Sequence, residues 1–246
     1  MKTVFICEGH DDLWFLYYYL EKKCNWTIDG DKWKTNKIPQ KNGRKAIFIR
    51  SNDSESIGAI VTGNGQTGIS EVIKDILIIN SHVAMNDAIN KIVIFRDCDD
   101  RFPDYVASEM NEIFENKVQL KNCHVSEYKM EVDSEELIVK ILPVVIPFDE
   151  QGAIETLIMK SISDKSDIGK YVVEHANEYI DSAIDNVRPE YLKKQREQTK
   201  ARYSASLAIT NPRKSRDDFR ELMMSCDWEN SPSIDLHMKE VREFIK

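Results

Sequence analysis

Two short stretches concentrate groups that can do chemistry. "ICEGHDD", residues 6–12, sets Glu8, Asp11 and Asp12 around Gly9 and His10. "IFRDCDD", residues 94–100, puts Asp97, Asp99 and Asp100 directly behind Arg96. Carboxylates this close repel and raise one another's pKa, and a proton or a cation relieves the clash. An oxygen-only donor set suits magnesium or manganese. Each stretch follows an apolar run, "TVFIC" and "KIVIF", that reads as a buried strand. Open parallel sheets bind ligands at the carboxyl ends of their strands. If both strands are central and parallel, the two acidic clusters share an edge, and the favoured partner is a divalent cation.

The elements that must position these residues are legible as a pattern. "DDLWFLYYYLEKK" carries Leu13, Leu16, Tyr17 and Leu20 at helical spacing and ends on Lys22 and Lys23, where cations suit the dipole. Residues 25–44 are polar and loop-like. "KAIFIRS" reads as a strand, and "GAIVTGNGQTG" as a strand running into a glycine turn. "ISEVIKDILIINSHVAM" reads as a helix, and so does "PDYVASEMNEIFENK", with Pro103 suited to its first turn. "CHVSEYKMEV" and "ELIVKILPVVIPF" read as further strands, and "GAIETLIMKSI" opens a helical remainder. Strands alternating with helices predict an α/β fold with a mostly parallel sheet flanked by helices. The expected division is an α/β core over 1–146 and a helical extension over 147–246 that contributes to the site.

Composition narrows the classes. The chain has 246 residues, 41% of them hydrophobic, and no apolar run near the ~20 residues that span a bilayer. The start lacks a secretory pattern, and the five cysteines are odd in number with no CxxC. A reducing cytoplasm with free thiols is the expected setting. Net charge is −8, yet residues 188–220 hold ten Lys and Arg against four Asp and Glu, and residues 31–50 hold seven against one. Such basic stretches, with Lys193, Lys194 and Arg196 prominent, are candidates for holding a nucleic-acid backbone.

At Glu8-Gly9, Asp12, the glycine turn at Gly63 or Gly65, and Asp97-Cys98-Asp99, the sequence resembles the Toprim domain of topoisomerases, primases and several nucleases. The ordered set spans roughly residues 3–120. "PFDEQGAIETLIM" and "QTKARYSASLAI" are similar to later segments of OLD-type Toprim nucleases, which supply a further acid, here Glu155, and a lysine, here Lys200. The resemblance implies a Toprim-like, Rossmann-like core in a stand-alone relative without the OLD ATPase domain. It implies Mg²⁺ or Mn²⁺ held by Glu8, Asp97, Asp99 and Glu155, with Asp12 in support and Lys200 neutralising phosphate charge. The implied reaction is phosphodiester hydrolysis in DNA or RNA, in anti-phage defence or DNA repair, with a separate ATPase as a possible partner.

Plainer readings stand beside these. Glu8 and Asp12 suit any helix start. Asp97 lies too early to cap the helix after Pro103. Glu155 can simply face water, and Arg96 can touch a phosphate or pair with a neighbour. Asp11 and Asp100 read as solvated or as support behind the ligands, and His10 as a bystander before a group in proton transfer. "GNGQTGIS" nearly spells a P-loop, but Ile69 stands where the phosphate-neutralising lysine belongs. Two rival functions remain: a Toprim-like subunit that binds a partner, and a nucleotide-sugar transferase, which leaves Glu8-Gly9 and Asp12 unexplained.

Overall fold

The structure, a computed structural model, describes residues 1–29, 43–132, 134–148, 150–187, 190–212, 219–224 and 226–246, the side chain of 187 aside. The strands are β1 (Lys2–Cys7), β2 (Trp26–Ile28), β3 (Ala46–Ser51), β4 (Ile57–Thr62), β5 (Lys91–Asp97), β6 (Ser126–Val132) and β7 (Glu135–Ile146). They form one seven-stranded sheet in the order β2-β3-β4-β1-β5-β7-β6. β1 runs parallel to both β4 and β5. Lys140 N–H donates to the Asn90 carbonyl, and Cys98 N–H to that of Ile146, so β7 runs in the direction of β5. The edges, β2-β3-β4 on one side and β6-β7 on the other, are antiparallel.

The helices are α1 (His10–Cys24), α2 (Gln66–Asn80), α3 (Pro103–Ser108), α4 (Ile154–Lys165), α5 (Asp167–Val187), α6 (Gln195–Thr210), α7 (Phe219–Met224) and α8 (Pro232–Phe244). The mixed α/β architecture, with a parallel centre flanked by helices and a helical C-terminal region, is the one the alternation predicts. Two local readings need correction. Residues 26–28, read as loop, are a strand, because pairing with Ile49–Ser51 of β3 supplies the hydrogen bonds their own sequence does not demand. The helix read from Pro103 onward ends at Ser108 and continues only as a 3₁₀ turn, Glu109–Phe114.

The chain divides into two compact units. The first comprises residues 1–96, 104–145 and 240–246, and the second 97–103 and 146–239. The first holds nearly all of the sheet. β1 and β5 are apolar on both faces because helices cover them: Val4, Phe5, Ile6 and Ile92 through Phe95 are fully buried. Phe15 of α1 stacks on Phe95 with ring centroids 5.7 Å apart. The second unit is helical, with α4, α5 and α6 packed together, and Ser161 and Ser231 joined through their hydroxyls at 2.7 Å.

Candidate functional site

In the first unit the chain leaves β1 at Cys7 and enters α1 at His10, so Glu8 and Gly9 are the link. The β1–β5 register sets Cys7 opposite Phe95, which makes Glu8 and Arg96 the next residues on the carboxyl edge. There Arg96 Nε donates to Glu8 Oε1 at 2.8 Å. The Arg96 side chain is only 2% exposed, and its Nη1 lies 3.9 Å from Glu109 Oε2. That nitrogen is buried with no hydrogen bond among the described residues. Of the two readings of Arg96, the structure shows the ion pair.

Asp12 is buried and accepts the Gly9 N–H at 2.8 Å, satisfying an amide that the start of α1 leaves open. The glycine turn between β4 and α2 closes against the same strand end. Gly63 N–H donates to the Cys7 carbonyl at 2.7 Å and Gly65 N–H to the Glu8 carbonyl at 3.1 Å. A Cβ on Gly68 would sit 1.4 Å from the Gly63 oxygen, so these glycines let two backbones touch. His10 Nε2 receives Trp14 Nε1 at 3.2 Å and faces Lys45 Nζ at 3.0 Å. Both partners only donate, which assigns the ring proton to Nδ1.

In the second unit, Asp97, at the tip of β5, accepts the Ile154 N–H through Oδ1 at 2.9 Å. It therefore does serve a helix start, that of α4 and not α3. Asp99 adopts the left-handed region at φ 53° and donates its N–H to the Gly152 carbonyl at 2.7 Å. Cys98 points inward, its Sγ directed at the Glu150 and Gly152 carbonyls. Burial, reinforced by the charges of Asp97 and Asp99, pushes its thiol up to about 11. Gln151 Nε2 donates to the Asp100 carbonyl at 2.6 Å. Glu155, in the first turn of α4, is buried, and its Oε1 lies 3.5 Å from Lys200 Nζ on α6. Two residues read separately from sequence are thus an ion pair. Lys193 and Lys194 precede α6 and Arg196 lies in its first turn, all three exposed.

Sequence reading missed the partners: Arg96 for Glu8, the Ile154 amide for Asp97, and Gly152 for Asp99. The first had a signal, an arginine at the end of an otherwise apolar strand. The basic stretch over 31–50 lies largely outside the described residues, as do 188–189 and 213–218 of the second stretch. Among the described residues, no three His, Cys, Asp or Glu side chains come close enough to hold a metal ion. The donors of the second unit, Asp97, Asp99 and Glu155, are all carboxylates and fit Mg²⁺ or Mn²⁺ chemically. Asp97 has one oxygen on an amide, and Glu155 faces a lysine. No helix of the described residues is long and apolar enough to cross a membrane.

Fold and site define a mixed α/β protein whose adjacent parallel strands β1 and β5 run into acidic residues. Residues 2–234 match the family described as a protein of unknown function (DUF3226), and the chain belongs to that family. Among solved structures it is similar to a hypothetical protein from Pyrococcus horikoshii OT3, at 15% identity and a TM-score of 0.55, covering 99% of this chain and 93% of that one. This likeness concerns the fold alone. No curated protein matches the chain.

Proposed function

We propose that the protein is a divalent-metal-dependent phosphodiesterase acting on DNA or RNA, in the manner the Toprim and OLD resemblance implies. The observation that carries this reading lies within the second unit. The Asp97–Ile154 bond ties the acidic end of β5 to the first turn of α4, where Glu155 pairs with Lys200. Asp97, Asp99 and Glu155, with Lys200, come from three segments far apart in sequence, and their types match what phosphoryl chemistry needs.

Asp97, Asp99 and Glu155 are the residues that would hold Mg²⁺ or Mn²⁺. Such an ion supplies charge neutralisation at the phosphate and activation of a water nucleophile. Lys200, half exposed beside Glu155, would offset negative charge on a phosphate oxygen. In the first unit, Glu8 has one oxygen fixed by Arg96, which orients the other for ligation or proton transfer. Lys193, Lys194 and Arg196 attract the backbone without reading sequence. A cytoplasmic setting and a role in phage defence or repair, with or without a partner ATPase, belong to the same reading.

One observation favours the second reading, a Toprim-like subunit that binds a partner: Asp12 and Asp97 both accept backbone amides at helix starts, a structural role that needs no metal. Calorimetric titration with Mn²⁺ separates the two. A nuclease binds the ion, and Asp99→Asn weakens that binding by about 10-fold or more. A folded protein with no Mn²⁺ binding supports the partner-binding reading.

A further inference from the structure

We infer that the outer edge of β6 is a dimer interface, where two copies of this chain join their sheets by pairing β6 with β6 in antiparallel fashion. Both β6 and its neighbour β7 up to residue 145 lie in the first unit, and β6 stands last in the sheet order.

Which backbone groups of β6 face outward follows from β7. Lys140 donates its N–H towards β5, to the Asn90 carbonyl at 3.0 Å, whereas the Pro143 carbonyl accepts the Cys123 N–H on the other side at 2.8 Å. In a strand the N–H and C=O of one residue share a side, and the side alternates along the chain. The register sets Lys140 opposite Glu127, Ile138 opposite Lys129 and Glu136 opposite Glu131. These are therefore the pairs that exchange no hydrogen bond. Glu127, Lys129 and Glu131 turn their amides and carbonyls away from β7, and among the described residues nothing bonds those groups. A seven-residue edge with open amides and carbonyls is a template for another strand.

The side chains say which strand fits. Glu127, Lys129 and Glu131 are all exposed and alternate in sign. Charges on an edge ordinarily keep copies apart. Here they do so for one alignment: antiparallel pairing centred on Lys129 sets lysine on lysine and glutamate on glutamate. Centring the pairing on Tyr128 reverses the sign. Glu127 of each copy then lies opposite Lys129 of the other, in pairs that exchange two backbone bonds and join opposite charges. Tyr128 meets Tyr128 across the axis, in the closer position without hydrogen bonds, where aromatic pairs are favourable. Lys129 is held in its own chain by Glu136 at 3.1 Å, but the two side chains are 61% and 57% exposed. So exposed a pair contributes little, and Lys129 exchanges it readily for a glutamate across the interface. The strand is complementary to itself, which makes a second copy its occupant. The pairing does not rest on the nuclease reading, because β6 supplies none of the candidate site residues.

The test is sedimentation of the full chain at micromolar concentration, with residue-resolved amide exchange. The wild type should dimerise, and the Glu127, Lys129 and Glu131 amides should exchange more slowly as dimer forms. Lys129→Pro removes one outward N–H and no bond to β7, a place where an edge strand accepts proline. Lys129→Glu makes the edge wholly acidic. Each should weaken the dimer by about 10-fold or more. A Glu127→Lys, Glu131→Lys double variant makes the edge wholly basic and should also be monomeric. Mixed with Lys129→Glu, it should form a heterodimer. Melting curves check folding, and Lys129→Glu carries the test if the proline variant does not fold. A wild type that stays monomeric overturns the interface and leaves the charges as simple edge protection. So does a dimer that both Lys129 variants leave unchanged, or a mixture that does not associate. A dimer without nuclease activity leaves this inference standing and the proposed function fallen; cleavage by a monomer does the reverse.

Discussion

Glu8 and Asp97 each have a partner that a substitution exposes. Glu8→Gln keeps an oxygen for Arg96 Nε but removes the charge, leaving a nearly inaccessible guanidinium with Glu109, 3.9 Å away, as its counterion among the described residues. Because Glu8 itself is partly solvated, the expected destabilisation is about 1–2 kcal/mol rather than the full loss of a buried pair. The expected loss of activity must therefore be measured well below the melting temperature. An unshifted melting curve would show that Arg96 does not depend on Glu8. Asp97→Ala removes the acceptor of the Ile154 amide at the start of α4, and should cost about 1 kcal/mol, as lost helix caps do. Asp97→Asn retains an acceptor and should cost less. Removing the crowded Asp97 charge alone would have suggested a gain in stability. The reversed sign comes from an amide 57 residues downstream, which no local pattern in "IFRDCDD" reveals.

At the scale of elements, the same limit decides what the sequence discloses. β1, β5 and α1 were legible because their apolar spacing is local and most of their apolar residues are buried. β2 was not, because three residues in a polar segment become a strand only through β3. The glycine turn shows the limit in another way. "GNGQTG" announces a backbone that approaches something closely, and sequence cannot say whether a phosphate or another peptide. Here it is peptide: the Gly63 and Gly65 amides reach the carbonyls that end β1. Gly68→Ala would drive a methyl group onto the Gly63 carbonyl. It should destabilise the protein by at least about 3 kcal/mol, and denaturant unfolding measures it. A change below about 1 kcal/mol would mean that the turn relaxes freely. Glu155 and Lys200 were each legible as candidates, but their pairing depends on how α4 meets α6.

At the scale of the whole molecule, a net charge of −8 coexists with local positive ground at the start of α6. Three cations there oppose the helix dipole, so they gain nothing from the helix they begin. Nucleic-acid affinity should fall steeply with salt, and changing Lys193, Lys194 and Arg196 together to Ala should reduce the log–log slope by about 2–3. An unchanged slope would place the backbone contacts elsewhere.

The family to which the chain belongs carries no described activity, so the central claim rests on chemistry and is tested there. The most direct measurement is product formation from end-labelled single- and double-stranded DNA and RNA in Mn²⁺, comparing the wild type with Asp99→Asn prepared and folded alike. Asp99 is the choice because, unlike Asp97, its side chain makes no helix-capping bond among the described residues to confuse loss of function with loss of fold. The expected result is cleavage of at least one substrate that EDTA abolishes and Mn²⁺ restores, with Asp99→Asn slower by about 10²-fold. Cleavage at equal rates by wild type and variant, or no product from any substrate by a folded, Mn²⁺-supplied wild type, would contradict it.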